Sequence, residues 1–195
     1  MARPEAQAAI WLAGAVLYAC ILTIYYGARP DIARMISNPV FILELLSLLA
    51  LTVLSGIEAL HLSRPDRHQN YWLRYALFGL GAVGAVFAYL GGSELGLSDA
   101  FKATSFTHFD CLLDIALISI PPGLALFVLI NKGTPIHCCW AGGTATIAAA
   151  SLGYFCMRII EQNDDLAHLL VWHAFPIALA CFVGIALGRL TLRWR

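Results

Sequence analysis

The sequence predicts an all-α, polytopic membrane protein, a bundle of six transmembrane helices with both termini cytoplasmic. Three observations predict it. Of 195 residues, 60% are hydrophobic and only 12% charged. An average soluble chain is about 25% charged, so these side chains are too few to cover a soluble fold. Six stretches are long and apolar enough to cross a bilayer core about 30 Å thick at about 1.5 Å per helical residue. No stretch shows the alternation of a half-buried strand. With 12 Lys+Arg against 12 Asp+Glu, no overall field recruits a nucleic acid.

The first span, about 7–28, carries no charge. It is longer than a signal's apolar region and is preceded only by Arg3 and the terminal amine, so it reads as a retained anchor. The second, about 39–62, is interrupted by Glu44 and Glu58. The third is about 75–93. The fourth, about 109–131, opens on Asp110 and Asp114 and contains Pro121-Pro122, which remove two backbone donors and predict a kink. The fifth, about 133–157, contains the small-residue run Ala141-Gly142-Gly143-Thr144-Ala145; the sixth, about 166–188, contains Gly184 and Gly188. Such residues, like Gly84 and Ala88 in the third span, let helix backbones approach closely within one bundle. The connecting loops are too short to hold another domain, so residues 1–195 are expected to form one integral membrane domain.

Loop charge sets the orientation. With the N-terminus inside, the inner segments carry eight basic residues (Arg3, Arg64, Arg67, Arg74, Lys132, Arg189, Arg193, Arg195) and the outer ones four (Arg29, Arg34, Lys102, Arg158). The positive-inside rule therefore places both ends in the cytoplasm. Glu161, Asp164 and Asp165 fall outside.

No GxSxG, HExxH, Walker loop or CxxC pair is present, and the chain is expected not to be an enzyme. Topology sorts its six cysteines. Cys111 and Cys156 lie near the outer ends of the fourth and fifth spans, which a tight turn at Lys132 to Pro135 makes antiparallel neighbours. Cys138 and Cys139 lie at the inner end, about 27 Å of helix from Cys156. His108, Asp110, Asp114, His168 and His173 stand near the outer pair, and His108, Cys111 and Asp114 recur at three-residue spacing. Thiolate, imidazole and carboxylate suit a soft or borderline metal ion. A metal or redox sensor built from Cys111 and Cys156, with His108, His168 and His173 as further ligands, is one reading; packed, inert cysteines are the other.

Glu44 and Glu58, 14 residues apart on one helix face, allow an alternative function as a small transporter or channel. The blander reading is that each finds a partner within the bundle. A membrane redox protein is a further alternative, but no spacing singles out a histidine pair for a haem, and no obligatory cofactor is expected.

The order of several segments carries a family likeness. Phe109-Asp110-Cys111 leads to Ile120-Pro121-Pro122, then to Asn131-Lys132-Gly133-Thr134-Pro135. Ala141-Gly142-Gly143 leads to Cys156, then Val171-Trp172-His173, Gly184 to Gly188 and Leu192-Arg193-Trp194. Earlier stand Gly27-Ala28-Arg29-Pro30-Asp31, Asn38-Pro39-Val40-Phe41 and Glu44-Leu45. This order, from about Trp11 to Trp194, resembles the NrsF family, "negative regulator of sigma F", six-helix inner-membrane anti-sigma factors of Gram-negative bacteria. The resemblance implies a multi-pass protein of the cell inner membrane. It would sequester an extracytoplasmic-function sigma factor and release it under heavy-metal or redox stress, without binding nucleic acid itself. It implies that Cys111 and Cys156 are the sensing residues, with a heavy-metal ion as signal.

The family's polar cytosolic leader is a natural sigma-binding element, whereas here only Met1 to about Ala6 precede the first span. That leaves open an earlier start, a lost partner, or sigma contact through the tail Arg189 to Arg195 and the basic, aromatic inner loop with Arg64, Arg67, Trp72 and Arg74. The same loop also reads as an ordinary interface anchor.

Overall fold

The computed structural model describes residues 4–64, 76–77, 79, 109–165 and 168–192. These form α1 (Pro4–Tyr26), the short α2 (Ile32–Met35), α3 (Pro39–His61), α4 (Phe109–Asn131), α5 (Cys138–Ile160), a π-helical segment (Leu169–Ala174) and α6 (Phe175–Thr191). No strand occurs among the described residues. Five helices are long and apolar enough to cross a membrane, the last of them running from Leu169 through α6 to Thr191. The expected third span, with Gly84 and Ala88, falls almost wholly outside the described residues.

Local chemistry sets the helix ends. Pro4 opens α1, where its missing N–H would have had no partner. Gly27, at φ +83°, closes that helix in the left-handed region that glycine adopts freely. Asn38 caps α3 by accepting from Val40 N at 3.0 Å, with Pro39 in the first turn. The fifth span starts later than the sequence predicts, at Cys138. Pro135 holds the residue before it away from helical geometry, and Thr134 N–H bonds instead to Ser63 O at 2.7 Å. α4 runs as one helix through Pro121-Pro122.

Within the helices, hydroxyls bond back to their own backbone. Thr52 donates to Leu48 O, Ser119 to Ile115 O, Thr144 to Trp140 O and Ser151 to Ile147 O. With no water in a bilayer core, this is how such groups are satisfied.

α5 is the spine. It is mostly buried, whereas the other four long helices turn most of their surface outward, presenting side chains such as Ile24, Val40, Phe182 and Leu190. Its run of alanine, glycine, serine and threonine makes it thin, so α3, α4 and α6 pack against it at close range. The closest seam joins α5 to α6: a Cβ on Gly142 would strike Gly184 O, and one on Gly188 would strike Cys138 O. On another side Trp11 packs on Gly56 and donates its indole N–H to Pro122 O at 3.0 Å, joining α1 to α3 and α4.

The connections define two rims. At one rim, Arg29 N–H bonds to Ile159 O at 2.9 Å, gathering the end of α1, the starts of α3 and α4, the end of α5 and the approach to α6. At the other rim lie Ser63, Lys132 to Pro135, Cys138 and Gly188.

Candidate functional site

The Arg29 rim carries two joined polar clusters. The first contains Cys111, Glu161, His168 and His173, whose donor atoms all lie within 4.8 Å of one another. Cys111 sits in the first turn of α4 and donates to Glu161 Oε1 at 3.6 Å. Glu161 is the first residue past α5; its backbone is extended (φ −86°, ψ 141°) while its N–H still bonds to Met157 O. Its carboxylate receives His168 Nε2 on Oε1 at 3.2 Å and His173 Nε2 on Oε2 at 3.0 Å. The two Nε2 atoms are themselves 3.2 Å apart.

The π-helical segment explains how two histidines five residues apart meet. At about 100° per residue, an α-helix would turn them about 140° away from each other. Here Phe175 N–H bonds to Leu170 O, the i→i+5 register that stacks residues five apart on one face. Asp165 ties down the start of the segment, its carboxylate accepting from His168 N at 3.1 Å and its carbonyl from Leu169 N at 2.9 Å. Both imidazoles are buried. Burial pushes the Glu161 carboxyl up, but the His173 hydrogen bond and the two imidazoles outweigh it and hold it below the usual glutamate range.

The second cluster is an ion-pair lattice. The fully buried Arg29 guanidinium grips Asp31 at 2.7 and 3.0 Å and Asp164 at 2.6 and 3.0 Å. Arg158 reaches Asp164 at 2.9 Å and Glu44 at 2.9 Å. Tyr154 Oη donates to Glu44 Oε1 at 2.6 Å. The Phe41 ring carries both guanidiniums, at 5.7 Å (Arg29) and 5.0 Å (Arg158). The hydrogen bonds that Arg29 donates to Asp164 and Asp31 raise its pKa. In return Arg29 lowers Asp31 and, helped by Arg158, holds Asp164 at about 2. Tyr154 joins the clusters, its ring edge-on to His173 at 5.0 Å.

The residues singled out from sequence divide accordingly. Cys111, His168 and His173 come together; His108 lies outside the described residues. Cys156 is wholly buried in the apolar core shared with Trp11 and Ala15 of α1, and is not one of the four clustered donors. It stands five positions before Glu161, about 140° round the helix. All six cysteines are free thiols, and Asp114 is exposed outside the donor cluster. Glu44 has its partners in Arg158 and Tyr154, and Glu58 is buried toward the opposite end of α3. Arg64 lies at the far rim, while Arg67, Trp72 and Arg74 fall outside the described residues. Glu161 was legible only as one acid in a short acidic loop, and Arg158 only as a loop-flanking basic residue.

No curated protein and no solved structure matches the chain. One family model does, NrsF, described as negative regulator of sigma F, over residues 1–194. That match spans essentially the whole of a helical bundle with five membrane-length helices, and the chain therefore belongs to the NrsF family, negative regulators of sigma F.

Proposed function

We propose that this protein is an anti-sigma factor of the cell inner membrane. It holds an extracytoplasmic-function sigma factor at the cytoplasmic rim and frees it when heavy-metal or redox stress reaches the opposite one. The observation that carries this reading is the family match over residues 1–194. The positive-inside count, which assigns Arg64, Lys132 and Arg189 to the cytoplasm and the Arg29 rim to the outside, supports the orientation. The sigma contact falls on the basic face around Arg64, with Arg67, Trp72 and Arg74 as further candidates. Cys111 and Cys156 are the proposed sensing cysteines. Cys111 stands in the rim cluster, while Cys156 is packed in the core against α1, where any modification would disturb helix packing.

A signal shifts such a protein only by its differential affinity for the holding and releasing arrangements. The test is to co-express the full chain with an extracytoplasmic-function sigma factor encoded beside it and purify the membrane protein in mild detergent. The sigma factor should co-elute, and added Cd²⁺ or oxidant should release it. Failure to retain any such sigma factor overturns the anti-sigma reading. Release that is unchanged in Cys111→Ser and in Cys156→Ser overturns the sensor assignment alone.

A further inference from the structure

We infer that Cys111, Glu161, His168 and His173 form one binding site for a single divalent cation of the zinc–cadmium class. As a signal site it rests on the anti-sigma reading; as a binding site it needs no sigma factor.

The argument begins with convergence. Three separate segments deliver the four donors: the first turn of α4, the residue after α5 and the π-helical segment. Around a zinc-type ion, with about 2.0–2.1 Å to nitrogen and about 2.3 Å to sulfur, neighbouring tetrahedral donors stand roughly 3.3–3.6 Å apart. With Glu161 Oε1 as the carboxylate donor, Cys111 Sγ stands at 3.6 Å and His168 Nε2 at 3.2 Å, and the two Nε2 atoms are 3.2 Å apart; His173 Nε2 reaches the other oxygen, Oε2, at 3.0 Å. Three of the six pairs of that set are thus at close to ligand spacing, and all four donors lie within 4.8 Å of one another.

The proton inventory points the same way. Two Nε2 atoms 3.2 Å apart cannot each aim an N–H at the other. Both instead turn to the one Glu161 carboxylate, so once Nε2 carries no proton the two lone pairs converge on the same centre. A cation at that centre satisfies every donor together. Neither buried ring is free to turn away, since His173 packs against His168 and Tyr154.

Donor chemistry selects the ion. A thiolate, two imidazoles and a carboxylate suit Zn²⁺, Cd²⁺ or Co²⁺, whereas Mg²⁺ and Ca²⁺ prefer all-oxygen sets. On binding, the Cys111 S–H bond breaks, the sulfur–metal bond forms and the proton leaves to water; each imidazole binds through Nε2 with its remaining proton on Nδ1, and any second proton on a ring also leaves to water. The resulting thiolate and the Glu161 carboxylate together cancel the dication, leaving a neutral site. Neutrality matters beside a hydrocarbon layer, where net charge is costly. Cys111 and Glu161 are only partly buried, which opens one side of the site for entry.

The experiment uses the full chain in detergent micelles without any sigma factor, titrated with Co²⁺ alone and then with Cd²⁺ alone. The expected result is one equivalent bound per chain, with a thiolate-to-metal charge-transfer band and the intense visible bands of tetrahedral Co²⁺. Cys111→Ser should abolish the charge-transfer band, and Glu161→Gln and His173→Gln should each weaken binding by tenfold or more, while His137→Gln, at the other rim, should bind as the parent does. Cys156→Ala should retain both band and stoichiometry. A parent protein that binds no metal, or a charge-transfer band that survives Cys111→Ser, overturns the site. So does loss of the band in a Cys156→Ala protein that still elutes as the folded species. A protein that binds Cd²⁺ at these residues but retains no sigma factor would keep the metal site and reject the anti-sigma reading, so the two fail separately.

Discussion

Replacing Gly142 with alanine adds one methyl group where the structure has no space for it. The new Cβ would strike the carbonyl oxygen of Gly184 and stand 2.8 Å from Gly188 Cα and 2.9 Å from Gly188 N. All three obstacles are backbone atoms, so no side-chain rotation clears them. Ordinary carbon contacts lie at about 3.5–4.0 Å, so α6 must retreat from α5 by about 1 Å along this stretch. Overpacking of this kind costs about 1–3 kcal/mol. With three backbone obstacles the cost falls in the upper part of that range, and alanine's better helix propensity returns up to about 1 kcal/mol, leaving an expected net loss of about 1–2 kcal/mol. Gly14 in α1 supplies the control, since a Cβ there meets nothing within 4 Å. Gly14→Ala should be neutral or stabilise by up to about 1 kcal/mol. The assay is reversible thermal or SDS unfolding of the purified protein in mild detergent. Unfolding midpoints for Gly142→Ala and Gly14→Ala that both match the parent would refute the claim that the α5–α6 seam is set by backbone contact.

Further outcomes are expected. Arg29→Met should destabilise by about 1–2 kcal/mol in the same assay: the guanidinium is buried, but its acid partners are over a third exposed and can rehydrate, which keeps the loss below the figure for a fully buried pair. Combining it with Arg158→Met should cost more than the sum, because Asp164 then loses both arginines. Stability should fall as pH drops through the window between the unfolded aspartate value of about 3.9 and the folded Asp164 value of about 2. There the folded state holds fewer protons than the unfolded one, so its advantage is complete above the window and lost below it. Asp164→Asn should flatten that part of a pH–melting profile. Trp11→Phe should cost about 1–2 kcal/mol by leaving Pro122 O without its buried indole donor, and an unchanged melting midpoint would count against that bond.

The bundle was legible because lipid imposes a simple rule: a spanning helix must be long and apolar and must satisfy its own backbone. Pro39 to His61 and Phe109 to Asn131 announce themselves this way. The glycines of α5 and α6 were also legible as contact points, since small residues in lipid-facing helices are there to admit a neighbour. What stayed hidden depends on pairs far apart in sequence or on local register. Glu44 and Arg158 meet across 114 positions, and nothing in either segment names the other. The π-helical turn has no composition of its own, so the sequence grouped His168 and His173 by depth alone and did not show that they share one face.

Phase along α5 decides which of its residues reaches the rim. Tyr154, Arg158 and Glu161 fall at i, i+4 and i+7, one stripe of a helix. That stripe supplies the Glu44 contact, the link to Asp164 and the carboxylate shared by the two histidines. Cys156 stands two positions from Tyr154, about 200° round, and so faces the core and α1. Depth in the membrane places Cys111 and Cys156 at one end of the bundle, but depth alone does not bring two sulfurs together. Cys111 meets the stripe because α4 enters the rim beside Glu161, whereas Cys156 looks inward from the same helix that carries Glu161. A residue on α5 that coupled directly to the rim would have to lie in phase with Tyr154 and Arg158, and the phase of Cys156 commits it to helix packing instead.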